Sequence, residues 1–310
     1  MGKPLSVATH LQSQHRTVTV ASACRCGAGG SLVEMGPASE GRRRCRTCDV
    51  IVAAALPEEA DLARCYGEDY WANYAEEQQG AARDNVWRHI VDVMEAAVPV
   101  PGTVVDVGCG GGGFLARCRE RGWKGIGFDL SAGAVKHAQE RQLDVRLAGW
   151  PPCDLRDGSV QVVACINVLD HLPDPFAAMA EAYRILAPGG LLYLRVPNGP
   201  LHAMLSRWSR MAGLPDLSIQ HLYGFGALSL RFHLARLGFD AGTIRTSPPT
   251  QSDAYCRSRT YGARLRGLCK RADLALYRCA QWLGVDRVPY GLSLEALARK
   301  PLPAAGEGRL

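Results

Sequence analysis

The sequence predicts an α/β protein built on a doubly wound, mainly parallel sheet, and three observations carry that expectation. First, the β-branched run from Val104 to Val107 reads as a buried strand and passes straight into glycines and then into a helical pattern from Phe114. Second, strand-like runs at Gly125 to Asp129, Leu143 to Leu147, Val160 to Ile166 and Leu191 to Val196 alternate with helical patterns, as parallel crossovers require. Third, 310 residues of which 47% are hydrophobic suffice for one large α/β domain and a small accessory module.

The stretch VVDVGCGGGG, Val104 to Gly113, is the element around which the rest is organised. Its glycines let the backbone turn sharply and approach a ligand with no Cβ in the way, and the following helix offers free N–H groups at its N-terminus. The spacing Gly108-x-Gly110-x-x-Gly113, with Asp129 placed to accept ribose hydroxyls, also satisfies a dinucleotide fingerprint. Asp106 separates the two readings. A carboxylate there repels a pyrophosphate and attracts a donor carrying an ammonium and a sulfonium, which favours S-adenosylmethionine over NAD.

Three further motifs join this one in order: Gly125-Ile-Gly-Phe-Asp129, Val168-Leu-Asp-His-Leu-Pro-Asp-Pro175, and the Leu186-Ala-Pro-Gly-Gly turn leading to Asn198. Together they resemble the class I S-adenosylmethionine-dependent methyltransferases. The resemblance implies a Rossmann-like doubly wound seven-stranded sheet with an antiparallel last strand. It also implies a cofactor site of Asp106, Gly108, Cys109, Gly110, Gly112, Asp129, Leu130, Trp150 and Asn167. Asp106 and the glycine backbone take the methionine part and Asp129 the ribose. The loop Ala148 to Asp154 lacks the early acidic residue usual in the family, and Trp150 either stacks on adenine in its place or is a hydrophobic lid.

Of twelve cysteines, Cys24, Cys26, Cys45 and Cys48 lie together near the N-terminus. Two pairs at such spacing suit a four-thiolate structural zinc site in a small ribbon-like module, although the first pair is Cys-x-Cys, one residue short of the usual pattern. A disulfide or a degenerate ribbon is the rival explanation. The other cysteines read as small buried hydrophobes. Arg42, Arg43, Arg44 and Arg46 around the second pair are expected on a solvated hairpin rim, the alternative being contact with phosphate or RNA.

The division expected is a loose tail over 1–20, the zinc-ribbon-like module over 21–62, an aromatic linker or lid over 63–82, the methyltransferase domain over 83–301 with a helical insertion at about 255–289, and a tail over 302–310. The aromatic cluster Cys65 to Tyr74 covers a ligand mouth or anchors the ribbon. Helices are expected over Arg83 to Ala97, from Phe114 to about Arg121, from an N-cap at Ser131 through Gln139, and over Phe176 to Leu186, Leu201 to Met211 and Leu228 to Leu237. A sixth strand is expected over Phe239 to Ile244 and the last over Leu292 to Arg299. In the insertion, Leu265, Leu268, Leu276, Trp282 and their neighbours recur at helical spacing with basic residues opposite. That pattern fits a packed surface helix, or one lying on a membrane or covering a lipid-like acceptor.

Ligands of doubly wound sheets bind beyond the C-terminal strand ends, which places Asn167, Asp170 and His171 beside the reacting centre; capping or carbonyl bonding is the structural alternative for His171. The loop Ser218 to Gly226 is similar to the "E-H-L" loop of the family's zinc-ribbon branch, which includes deoxysugar C-methyltransferases. That makes His221 the candidate base and Tyr223 an orienting group, but Gln220 stands where the branch has an acid. The expected activity is methyl transfer to a small-molecule acceptor, with an RNA acceptor or a non-catalytic cofactor-binding regulator as alternatives. Net charge is 36 − 30 = +6, which permits an anionic partner without demanding nucleic acid. No apolar run approaches a membrane span or a signal peptide, so a cytoplasmic location is expected. The oligomeric state is not readable from the sequence.

Overall fold

The structure is a computed structural model that describes residues 17–19, 23–36, 39, 41–57, 71, 75, 83–214, 221–240, 242–250, 261–284 and 288–303 of the chain.

 Near the N-terminus, β1 (Thr17–Thr19) pairs antiparallel with β5 (Ala55–Pro57), while β2 (Leu32–Glu34), β3 (Arg43–Cys45) and β4 (Ile51–Val52) form an antiparallel ribbon. Gly30 lies so close to the Cys45 thiol that any side chain there would displace it, which explains a glycine beside the cysteine cluster.

The main body begins with α1 (Asp84–Ala97), whose buried face is Val86, Ile90, Val91 and Met94. It continues through β6 (Thr103–Val107), α2 (Gly113–Glu120), β7 (Lys124–Asp129), α3 (Ala132–Glu140), β8 (Asp144–Leu147), β9 (Val160–Ile166), α4 (Pro175–Ile185) and β10 (Leu186–Pro197). Then follow α5 (Gly199–Met211), β11 (Tyr223–Gly224), α6 (Ala227–Arg236), β12 (Thr243–Thr246), α7 (Tyr261–Trp282) and β13 (Ser293–Arg299). Seven strands form one sheet in the order β12-β13-β10-β9-β6-β7-β8. The strands from β10 to β8 run parallel, and β13 is antiparallel to both its neighbours. This is the doubly wound, Rossmann-like sheet with an antiparallel last strand that the sequence predicts.

Local chemistry sets the helix starts. The Ser131 side chain accepts the Ala134 N–H at the head of α3, and Asp174 accepts those of Phe176 and Ala177 with Pro175 in the first turn of α4. Alternation along the central strands feeds two cores. Val105, Val107, Val163, Cys165, Leu192 and Leu194 face one side, with α4, α6 and the ribbon cysteines; Val104, Val162, Ala164, Leu191 and Tyr193 face the other, with α1, α2 and α3. The ribbon therefore shares a continuous core with one face of the sheet.

Four expectations about the fold need correction. The sixth strand is Thr243–Thr246 rather than Phe239 to Ile244, because after Gly238 turns with φ +85° the Phe239 N–H closes back on the Leu234 carbonyl and its ring enters the core. The fifth strand extends back to Leu186, absorbing the Pro-Gly-Gly turn as an irregularity between Leu186 and Leu191. In α7 the buried side chains include Tyr277 and Ala280, while Leu268, Leu276 and Trp282 of the expected packed face are exposed. Cys279 is likewise exposed, not a buried hydrophobe. Among the described residues no helix is long and apolar enough to cross a membrane.

Candidate functional site

The glycine loop joins β6 to α2 at the C-terminal edge of the sheet. Gly108, Gly110 and Gly112 have φ of +66°, +52° and +74°, the left-handed region that side chains avoid. A Cβ on Gly108 would also strike Val168, so the turn after β9 sits directly on the loop. The Asp129 carboxylate, at the end of β7, accepts the Gly110 N–H at 2.8 Å and the Ser131 N–H at 2.8 Å. It thus fixes the loop's shape as well as standing at its mouth, with Leu130 exposed beside it.

Asp106 is 2% exposed, and burial together with the neighbouring Asp129 pushes its carboxyl well above the usual carboxylate range. The sequence reading took it as a standing anion. In this structure it is a group that an incoming cation would return to the charged form. Burial likewise pushes the Cys109 thiol up. The Trp71 ring lies against Gly111 and Gly133 and 5.3 Å from the His137 ring, leaning over the loop; the rest of the aromatic cluster 65–74 lies outside the described residues.

Trp150 is buried, packs against Phe128 at 5.3 Å and donates its indole N–H to the Ala178 carbonyl at 3.1 Å, so here it is a packing element. Asn167 has φ +55° and its side-chain oxygen accepts from the Arg195 guanidinium at 2.5 Å.

A second group of polar side chains gathers at the same edge from three distant segments. Asp170 and His171 lie on the short helical turn Leu169–His171 after β9; His221 and Tyr223 come from the loop before α6; Arg42 comes from the ribbon. A small cavity opens among Arg42, Asp170, His202, His221, Tyr223 and Gly224. One oxygen of Asp170 stands 3.6 Å from His221 Nε2 and 3.7 Å from His171 Nε2, and the two imidazole rings lie 3.8 Å apart with their planes tilted by 41°. Among the described residues, neither oxygen of the buried Asp170 carboxyl has a hydrogen-bond partner, nor does His221 Nδ1. Burial raises the Asp170 carboxyl against the opposing pull of His171 and Arg195. Burial, then His171, His202 and Arg42, hold the His221 imidazole well below its ordinary value.

Tyr223 is buried and donates its hydroxyl to the Pro173 carbonyl at 3.0 Å. Arg42 is not on a solvated rim. It is 7% exposed and donates to the His221 carbonyl at 2.9 Å, while Arg44 is bound by Asp49. The ribbon reaches this loop through its backbone too, since β4 pairs with β11 and Ala53 N–H bonds the Leu222 carbonyl. Sequence reasoning missed Arg42 and this pairing, which join positions nearly 180 residues apart through a two-residue ladder without a pattern of its own.

In the ribbon, the thiols of Cys24, Cys26, Cys45 and Cys48 lie within 4.8 Å of one another, with Cys24 and Cys48 at 3.8 Å. A tetrahedral zinc with sulfurs at about 2.3 Å needs edges of about 3.8 Å, so the four residues fit such an ion.

Sheet order, glycine loop and the acid ending β7 define the architecture of a class I S-adenosylmethionine-dependent methyltransferase. Residues 74–242 match the family described as methyltransferase domain, and the chain belongs to that family. It is 30% identical over 166 residues to a ubiquinone biosynthesis O-methyltransferase of Methylococcus capsulatus, covering 42% of this chain and 70% of that protein. It is 32% identical to a probable S-adenosylmethionine-dependent methyltransferase of Mycolicibacterium smegmatis over 38% of this chain and 48% of that one. Among solved structures, a chain in the complex of the Haloferax volcanii Trm112 methyltransferase activator with its methyltransferase aligns with TM-score 0.51 at 23% identity, over 75% of this chain and 97% of that chain. At that identity the likeness shows the fold.

Proposed function

We propose that the protein transfers a methyl group from S-adenosylmethionine to a small-molecule acceptor, a sugar or natural-product intermediate being the favoured class. The observation that carries this reading is the polar cavity lined by His221, Asp170 and Arg42, with Asp170 two residues beyond the Val168 that rests on Gly108 of the glycine loop. S-adenosylmethionine supplies an already activated methyl on its sulfonium. What the chain must do is hold the two reactants in line and exclude water.

In this reading Asp106 and the backbone of Gly108, Cys109, Gly110 and Gly112 hold the methionine part, and Asp129 and Leu130 hold the ribose. His221 takes the acceptor's proton, while Tyr223 and His171 shape its surroundings. The four ribbon cysteines hold a structural zinc that keeps Arg42 and β4 against the His221 loop. We divide the chain accordingly into ribbon, linker and methyltransferase domain, and place its nearest functional kin in the zinc-ribbon branch that includes deoxysugar C-methyltransferases. An RNA acceptor gains little support from the ribbon, because Arg42 turns inward and Arg44 is neutralised by Asp49. The test is transfer of labelled methyl from S-adenosylmethionine to a panel of sugars, phenols and RNA. Label in the small molecules is expected, and label in RNA alone would reverse the assignment.

A further inference from the structure

The residue next to His221 in sequence is Gln220, which is not an acid. We propose that Asp170, on the turn after β9, is the positioning carboxylate for His221, and that the acceptor is therefore a hydroxyl or an acidic carbon rather than an amine. The proposal deepens the methyltransferase reading and rests on it.

Geometry carries the argument. Asp170 and His221 come from different elements yet face each other with the Asp170 oxygen 3.6 Å from Nε2. A buried carboxyl with both oxygens lacking partners is costly unless something uses it. The separation is an ion-pair distance, and catalytic contacts that are long in ligand-free sites commonly tighten when the ligand binds. With Nε2–H directed at Asp170, the proton-free nitrogen is Nδ1, which no group among the described residues engages. The turn that bears Asp170 also carries Val168, which rests on Gly108, so the pair adjoins the donor loop.

The step balances in atoms and charge. The acceptor O–H or C–H proton passes to His221 Nδ1, its electron pair forms the new bond to the methyl carbon, and the carbon–sulfur bond breaks to leave neutral S-adenosylhomocysteine. A deprotonated Asp170 beside neutral His221 carries one negative charge opposite the sulfonium; after transfer the sulfur is neutral and the positive charge sits on the His221 imidazolium, paired with the Asp170 carboxylate. A neutral amine attacks with its own lone pair and loses its proton afterwards, so it has no need of such a pair. The charged or titratable groups facing His221 are Asp170, His171, His202 and Arg42, and only Asp170 can accept from Nε2–H without being a cation when protonated.

The test uses the full chain with S-adenosylhomocysteine bound and 15N-labelled histidine, the His221 signals being assigned by H221Q. In the wild type His221 is expected as the single Nε2–H tautomer; in D170N that preference is lost and the imidazole titrates at lower pH, while H171Q keeps the tautomer. On the best acceptor among a panel of phenols, 1,3-dicarbonyls and amines, D170N is expected to lower kcat about 100-fold with KM changed less than about threefold. Identical His221 nitrogen shifts in wild type and D170N overturn the proposal, as does label in amines alone. A second equivalent of zinc that D170N removes also overturns it, since the cluster would then be a metal site. Failure of the wild type to bind S-adenosylhomocysteine in calorimetry would instead sink the methyltransferase reading itself.

Discussion

The two ends of the cleft are built in different ways. At the glycine-loop end, β6, the loop and β7 lie within 27 residues of sequence, and backbone hydrogen bonds to Asp129 hold the loop in shape. At the histidine end, Arg42, Asp170 and His221 arrive from three separate segments, and the His221 loop is clamped by a ribbon too small to have a core of its own. The first end is self-supporting. The second depends on a module whose stability a four-thiolate metal would supply. The difference teaches that loss of the ribbon should disable the histidine end and spare the glycine-loop end.

The sharpest way to break that comparison is Cys45→Ser. The variant should lose one equivalent of zinc by elemental analysis and at least about 100-fold in methyl transfer, with affinity for S-adenosylhomocysteine changed less than about threefold. An equal loss of cofactor affinity would show the two ends to be one unit. From the other side, Asp129→Ala removes the acceptor of two backbone N–H groups as well as the proposed ribose contact. It should weaken S-adenosylhomocysteine about 10- to 100-fold while zinc content stays unchanged.

A subtler effect follows from Asp106, whose carboxyl burial and Asp129 push up in the free protein. A bound ammonium or sulfonium favours the carboxylate, so binding should release protons and affinity should rise with pH through the free-state pKa. Calorimetry in buffers of different ionisation enthalpy reads this directly; equal heats in all buffers would remove Asp106 from the site.

The smallest expected effect is on stability. Burial, then Arg236, hold His233 down at about 4 from an ordinary 6.5. Between those values the unfolded chain binds a proton that the folded chain refuses, so this contribution is complete above pH 6.5 and lost as pH falls toward 4. His233→Gln should flatten the decline of the urea midpoint across that window, though His221, shifted the same way, keeps part of the slope.

The same contrast explains what the sequence disclosed. The positions of Asp106, the glycines and Asp129 were legible because strand, turn and next strand fall in one continuous βαβ unit, where spacing alone carries geometry. Val160–Ile166 and the N-cap Ser131 were legible for the same local reason. Arg42 was not. Its burial depends on a ribbon edge meeting β11, and an arginine run reads as solvated until a partner is seen. Phe239 misled because an aromatic after a glycine looks like the start of a strand, whereas here the ring fills the core and the strand begins at Thr243. The pairing of Asp170 with His221 was hidden for want of any local link between positions 170 and 221, although each residue alone stood out.

The central claim is that the glycine loop and its acids cradle a positively charged nucleoside donor. Titration of the full chain with S-adenosylhomocysteine and, separately, with NADH tests it most directly. The account predicts saturable binding of S-adenosylhomocysteine that Asp129→Ala weakens, and no competition from NADH. Tight uptake of NADH with no heat from S-adenosylhomocysteine would contradict it.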